Sequence, residues 1–123
     1  MSVAVRYGGA MRVILLGLLA LSLGGQDQQD SSRELSLSRQ RIDKVDDGII
    51  KLLNERAAIV LEVGAIKEKL HLPAGAPGRE EQVLRRVAEQ ARAPLTAEAA
   101  RRIYAAIIAE MTAMEQRQFK LKE

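Results

Sequence analysis

The stretch SRQRIDKVDDGIIKLLNERAAIVLEVGAIKEKL, residues 38–70, decides the fold of this chain. No proline interrupts it, and Ser38 is a candidate N-cap. Its apolar residues recur at helical spacing: Ile42, Val45, Ile49, Leu52, Leu53, Ile59, Val60, Val63, Ile66 and Leu70. At about 1.5 Å per residue the helix would be roughly 50 Å long, too long for one compact domain of this size. We therefore expect it to form the spine of an oligomer.

Three cations in this helix predict an anion site. Arg56 and Lys67 are eleven residues apart, so they lie within roughly 20° of one helix face, with Cα atoms about 16 Å apart. Their long side chains could bind one small anion between them. Arg39 precedes Arg56 by seventeen residues, roughly 25 Å along the helix and about 100° around it. Arg39 therefore cannot join that site within its own chain, but an antiparallel second copy could supply it.

The composition favours a small helical domain. The 123 residues are 47% hydrophobic and 28% charged, with three aromatic residues, Tyr7, Tyr104 and Phe119. The core is therefore expected to be aliphatic. A net charge of +3, from 19 interleaved basic and 16 acidic residues, argues against nucleic-acid binding. Cysteine is absent, which excludes disulfides and thiolate chemistry, and the single histidine, His71, lacks a histidine partner for a metal site. We expect no metal and no cofactor, and a structural or solvent role for His71.

Two further helices follow the long one. The segment HLPAGAPG, residues 71–78, is predicted to be a loop. A short helix over residues 79–92 then presents an apolar face of Val83, Leu84 and Val87. After Pro94, Thr96 is a candidate N-cap for a third helix over residues 97–118. That helix is expected to bury six residues: Ala100, Ile103, Tyr104, Ile107, Ile108 and Met111. The predicted fold is all-α, with three helices in the order long–short–long.

Two glycines lie inside the predicted long helix. Gly48 and Gly64 each cost on the order of 1 kcal/mol relative to alanine. A glycine at such a place lets another backbone or a ligand approach closely, and the alternative is tolerated sequence drift. Drift is the weaker explanation for Gly64, which lies between Arg56 and Lys67.

Residues 1–30 differ from the rest and are predicted to be a leader. Arg6 and Arg12 precede the apolar run VILLGLLALSL, residues 13–23, which is too short to span a bilayer. This order resembles a secretory signal peptide, with Ser22 and Gly24 at the small-residue cleavage positions. The alternatives are a disordered leader or a misassigned start upstream of a cytoplasmic domain. The polar stretch through residue 36 is predicted to be a linker. The functional domain is expected to span residues 31–123. The protein is expected to be cytoplasmic, or exported if the leader acts as a signal peptide.

Three motifs resemble those of the all-helical, type II chorismate mutases. They are R-x-x-I-D-x-x-D-x-x-I-x-x-L-L-x-x-R at residues 39–56, E-V-G-x-x-K at 62–67, and R-E-x-x-V-L at 79–84. The resemblance covers about residues 35–118. It implies an intertwined homodimer with two active sites that converts chorismate to prephenate in the aromatic amino-acid (shikimate) pathway, with no metal or cofactor.

The resemblance also implies residue roles. Arg39 would reach into the partner chain's site and Arg56 would act in its own, both binding substrate carboxylates. Lys67 would contact a carboxylate and the ether oxygen. Glu80 would accept a hydrogen bond from the substrate hydroxyl, and Arg79 would line the same pocket.

The sequence departs from the family pattern at two places. Ala76 stands where the family usually has aspartate; its backbone N–H can still bind the substrate hydroxyl, but help from a carboxylate in setting the loop is lost. Met111 and Glu115 stand where the family often has serine and glutamine. A one-residue shift would give Thr112 and Gln116, which rotate off the apolar face by about 100°. We favour Glu115, which can donate to the ether oxygen only when protonated.

The expected chemistry matches these residues. The rearrangement occurs within one molecule and needs a flexible dianion held in its reactive conformation. It also needs positive charge or a donor at the ether oxygen. Arg56, Lys67 and Glu115 are the candidate catalytic residues. The alternatives are an isochorismate-pyruvate lyase on the same scaffold and a non-catalytic helical dimer, and a DNA-binding module is the remotest.

Overall fold

Three helices make up the chain in the computed structural model, which describes residues 4–121, with side chains from Gly24 onward. They are α1 (Ala4–Lys69), α2 (Pro77–Gln90) and α3 (Ala97–Lys120). No strand occurs in this described range, so the predicted all-α, long–short–long fold is confirmed. The chain divides into two units, Met1–Ile49 and Ile50–Glu123, which are described separately below.

In the first unit, α1 begins far upstream of the predicted start. The helix continues through residues 26–37 and past Ser38, so the predicted linker and the predicted N-cap at Ser38 are wrong. No proline or glycine lies between Gly25 and Gly48, and Leu, Glu, Arg and Gln in this stretch are good helix formers. All side chains from Gly24 to Ile49 are exposed.

Most of the leader predicted for residues 1–30 is described as backbone, and from Ala4 onward it belongs to α1. Residues 1–3 and the side chains up to residue 23 are not described, and the leader remains a prediction. Across the described residues, no helix contains a stretch that is both long and apolar enough to cross a membrane.

The apolar stripe of α1 is exposed in the single chain. Leu52 is 65% exposed and Val45 is 61% exposed, which are values typical of surface side chains. The same holds for Ile42, Ile49, Ile59, Val63, Ile66 and Leu70. The helical periodicity of α1 is therefore not explained by the core of one copy.

In the second unit, α2 packs against α3 around a small aliphatic core. Val83, Val87 and Ile108 are buried, and Leu84 and Tyr104 pack against them. The apolar face predicted for α2 is thus confirmed.

The buried face of α3 differs in part from its prediction. Ala100, Ile108 and Met111 are buried as expected, but Ile103 is 54% exposed. Tyr104 and Ile107 are half-buried. Tyr104 and Ile108 occupy the face toward α2, and Ile103 is rotated by about 100° from its neighbour Tyr104. Glu115 is buried at the end of the same face, with 4% of its surface exposed.

The end of α1 sets the direction of the following loop. His71 adopts a left-handed conformation with φ of 55°. The Leu72 N–H donates to the Lys67 carbonyl at 2.8 Å and the His71 N–H donates to the Glu68 carbonyl at 3.1 Å, which is a Schellman motif. Glycine is the usual residue at that place, and histidine is one of the residue types enriched there. His71 thus has a structural role in ending the helix.

The starts of α2 and α3 have different local causes. Pro77 occupies the first turn of α2, where its fixed φ and missing N–H are favourable, so α2 begins two residues before its predicted start. The Thr96 hydroxyl accepts a hydrogen bond from the Ala99 N–H at 3.1 Å, which confirms the predicted N-cap of α3.

Candidate functional site

A cavity of about 490 Å³ lies within the second unit and is lined by α1, α2, α3 and the loop after α1. This volume suits a small-molecule ligand. Apolar side chains such as Val63, Ile108 and Met111 form much of its wall. Its charged lining consists of four cations and two acids: Arg56, Lys67, Arg79, Arg86, Glu80 and Glu115. An excess of positive charge over an apolar wall is suited to an organic anion.

A buried ion pair joins α1 to α3 at one end of the cavity. The Lys67 Nζ lies 2.9 Å from the Glu115 Oε1 and donates a hydrogen bond to Oε2 at 3.3 Å. The Glu115 side chain is 5% exposed and that of Lys67 is 17% exposed. Both carboxylate oxygens thus lie within reach of the ammonium, Oε1 being the nearer one. Since removing either member would leave the other charge buried without compensation, the pair holds its two helices in register.

Gly75 ties the loop to both members of this pair. Its carbonyl accepts from the Lys67 Nζ at 3.4 Å, and its N–H donates to the Glu115 Oε2 at 3.4 Å. Its φ is +78°, a conformation that L side chains rarely adopt. Glycine at this position therefore lets the loop turn back onto the ion pair.

Gly64 is closely approached, but by side chains of α3 rather than by the backbone or ligand that the sequence analysis expected. A Cβ atom here would lie 3.0 Å from the Glu115 Cγ and 3.3 Å from the Gln118 Oε1. The approaching group is thus the side chain of Glu115. At Gly48, by contrast, a Cβ would meet nothing within 4 Å in the described chain.

Ala76 and Glu80 contact each other at the start of α2. Ala76 is the N-cap residue and makes no side-chain cap hydrogen bond. Its N–H, expected to bind a ligand hydroxyl, donates instead to the Glu80 Oε1 at 3.4 Å. The Glu80 carboxylate thus lies in the positively polarised first turn of α2. Arg79, one residue earlier, is exposed and donates to the Gln82 side chain at 3.5 Å.

The structure brings most of the predicted site residues together. Seven of the eight line the cavity: Arg56, Lys67, Ala76, Arg79, Glu80, Met111 and Glu115. Arg39 belongs to the first unit, where it is exposed. Gln116, the alternative to Glu115, is exposed and lines a different groove, and Thr112 borders both.

The sequence reasoning missed Arg86, which also lines the cavity. Its spacing held a signal, because a residue seven positions after Arg79 lies within about 20° of the same helix face. Tyr104 was assigned to the core and also lines the cavity. Within the described residues, no three acidic or histidine side chains are grouped so as to hold a metal ion.

Comparisons of the chain with known proteins point to one family. The family model of chorismate mutase type II matches residues 38–116. Over 54 residues, the chain is 41% identical to a bifunctional chorismate mutase/prephenate dehydratase of Aquifex aeolicus and 35% identical to a chorismate mutase of Methanocaldococcus jannaschii. Each match covers 44% of this chain, but 15% of the first relative and 54% of the second.

Solved structures extend the likeness to about 70% of the chain. A chorismate mutase from Thermus thermophilus superimposes with a TM-score of 0.67 at 30% identity, covering 69% of this chain and 97% of that one. A chorismate mutase from Helicobacter pylori, solved in complex with prephenate, gives a TM-score of 0.64 at 26% identity, covering 70% and 93%.

The contact between Gly64 and Glu115 predicts opposite effects of two alanine substitutions in α1. Gly48→Ala should raise the free energy of unfolding by about 0.5–1 kcal/mol, because alanine favours a helix interior. Gly64→Ala should bring no such gain, because overpacking against Glu115 costs about 1–3 kcal/mol. Urea unfolding at matched protein concentration measures both. Equal stabilisation by the two substitutions would contradict the close approach.

Proposed function

Because the chain belongs to the type II chorismate mutase family, we propose that it converts chorismate to prephenate in aromatic amino-acid biosynthesis. The observation that carries this proposal is the convergence of Arg56, Lys67, Arg79 and Glu80 on one small-molecule cavity. These are the motif residues that the resemblance assigns to substrate binding. The Helicobacter pylori structure, whose fold this chain shares, holds prephenate.

Binding energy would be used first to select the reactive conformer. Chorismate is a flexible dianion, and its rearrangement joins two parts of one molecule, so holding them in contact removes a large entropic part of the barrier. Arg56 and Lys67, on one face of α1, would bind its carboxylates. The apolar wall that includes Val63, Ile108 and Met111 would enclose the ring and exclude water.

Stabilisation of the breaking ether bond is assigned to Lys67 and Glu115. Negative charge grows on the ether oxygen in the transition state, and a fixed cation or donor beside it lowers the barrier. In the free protein the Glu115 carboxylate accepts from Lys67 and from the Gly75 N–H. An ionised Glu115 therefore offsets the charge of Lys67 and offers no donor. A donor at this position, such as a carboxylic acid or an amide, would leave that charge available and add a hydrogen bond to the ether oxygen.

The start of α2 would bind the substrate hydroxyl. The Ala76 N–H and the Glu80 carboxylate lie side by side, 3.4 Å apart. A hydroxyl beside both groups can accept from the N–H and donate to the carboxylate. Such a paired contact fixes the orientation of the ring carbon that carries the hydroxyl.

The active form is proposed to be an intertwined homodimer. The support is the apolar stripe of α1, whose large side chains, among them Leu52 and Val45, are exposed in one copy. A second copy lying on this stripe would bury it, and burial of apolar surface drives association. In that assembly Arg39 would complete the site of the partner chain.

The activity is tested by supplying the purified full chain with chorismate and measuring prephenate and pyruvate together. Prephenate formed without pyruvate is the expected result. Pyruvate from isochorismate in a companion assay, with little prephenate, would instead assign the chain to the lyases. If a folded dimer turns over neither compound, the site binds a ligand without catalysing its conversion and the proposed activity is wrong.

The role of Glu115 predicts the effect of a substitution that keeps its shape. Glu115→Gln replaces a carboxylate that offsets the charge of Lys67 by an amide that can donate a hydrogen bond to the ether oxygen. The kcat of this variant for chorismate should therefore equal or exceed that of the wild type under the same assay conditions. Glu110→Gln, an exposed position of the same helix, is the control and should leave kcat unchanged. A kcat of Glu115→Gln far below that of the wild type would assign the ether oxygen to another residue.

The role of Arg39 predicts complementation between inactive copies. Arg39→Ala and Arg56→Ala copies should each lose activity, and refolding them together should restore about a quarter of it, because half of the randomly paired dimers regain one intact site. Mixing Arg56→Ala with Lys67→Ala copies is the control, since both residues act in the same chain and no intact site forms. No recovery in the first mixture would rule out a contribution across the dimer.

A further inference from the structure

We infer that Arg86 is a further substrate-binding residue, which binds a carboxylate of the dianion at the end of the cavity where Arg56 lies. This inference rests on the proposed function and deepens it. Arg86 lies beyond the R-E-x-x-V-L motif, which ends at Leu84. The resemblance to the family therefore gives it no role.

Arg86 belongs to the stripe of α2 that faces the cavity. Arg79, Glu80, Val83 and Arg86 all line it, at helical spacing along one side of the helix. Val83 is buried in the core that α2 shares with α3, so this side of α2 is fixed by its packing against α3. Arg86 lines the cavity and is exposed, so its side chain is accessible to a ligand there.

Helix geometry places Arg86 far from the Lys67–Glu115 pair. Arg86 follows Arg79 by seven residues, about 10 Å along α2 and away from the loop. Arg56 precedes Lys67 by eleven residues, about 16 Å along α1, and Tyr104 precedes Glu115 by the same interval on α3. All three residues line the cavity, so they form its second end, remote from the loop.

The two ends of the cavity differ in how their charges are balanced. At the loop end, Lys67 is paired with Glu115, and Arg79 adjoins Glu80 and donates to Gln82. At the second end, neither the Arg56 nor the Arg86 guanidinium makes a hydrogen bond or ion pair with the described residues. An unpaired guanidinium offers a planar fork that fits a carboxylate with two parallel hydrogen bonds.

A dianion completes this arrangement. The carboxylate that Arg56 binds would lie between two guanidinium groups, one from α1 and one from α2. Unpaired positive charge in a concave, partly apolar site also raises the rate at which an anion is captured. Arg86 is therefore expected to act on substrate binding more than on the chemical step.

The experiment compares three variants of the full chain. Arg86→Gln removes the proposed contact, Arg86→Lys keeps the charge but not the fork, and Arg85→Gln is the matched control. Arg85 is the preceding residue, is exposed and does not line the cavity. Its substitution by glutamine therefore changes the net charge and the helix propensity of α2 by the same amount as Arg86→Gln. The measurements are kcat and KM for chorismate and the affinity for prephenate by calorimetry.

Arg86→Gln should raise KM and weaken prephenate binding roughly tenfold with a smaller change in kcat. Arg86→Lys should recover part of that loss, and Arg85→Gln should stay within about twofold of the wild type. Equal effects of Arg86→Gln and Arg85→Gln, or a loss confined to kcat, would overturn the inference about Arg86. In that case, chorismate turnover by the wild type would still support the proposed function. If the wild type binds prephenate without turning over chorismate, the proposed function fails and the calorimetric comparison alone decides the role of Arg86. Absence of both binding and turnover in the wild type would overturn both.

Discussion

The buried contact between Lys67 and Glu115 is the constraint on which the rest of the site depends. A charge out of water is costly unless it is paired, and here the two side chains come from different helices. Gly64 leaves the space that Glu115 fills, and Gly75 adds its N–H and carbonyl to the same contact. The left-handed His71 ends α1 so that the chain can turn back toward this point. Each of these residues is explained by what the ion pair requires.

The same pair gives the cavity an uneven charge. Acids balance the cations near the loop, whereas at the other end Arg56 and Arg86 have no ion-pair partner among the described residues. Two cations that line one cavity without a counter-charge favour the binding of an anion. Such an arrangement is typical of a site shaped for a ligand, because the missing counter-charge is supplied from outside.

Local signals predicted most of the fold, and contacts between helices account for most of the errors. Thr96 was identified as a cap, and Val83 and Val87 as a buried face, because each depends on a few neighbouring residues. The polar composition of the stretch through residue 36 predicts a linker, yet the helix propensity of these residues is sufficient to continue α1. The exposure of Ile103 and the position of Arg86 depend on how α2 and α3 pack, which no single helix reveals. The contact between the Ala76 N–H and Glu80 likewise depends on the path of the loop.

Gly75 contacts both Lys67 and Glu115, so binding of an anion in the cavity affects the loop that contains Gly75. The Lys67 ammonium contacts both the Glu115 carboxylate and the Gly75 carbonyl, so an anion that draws the ammonium toward itself weakens the hold on the loop at the same moment. Ligand binding at Lys67 and the position of the loop at Gly75 are therefore coupled through a single ammonium group.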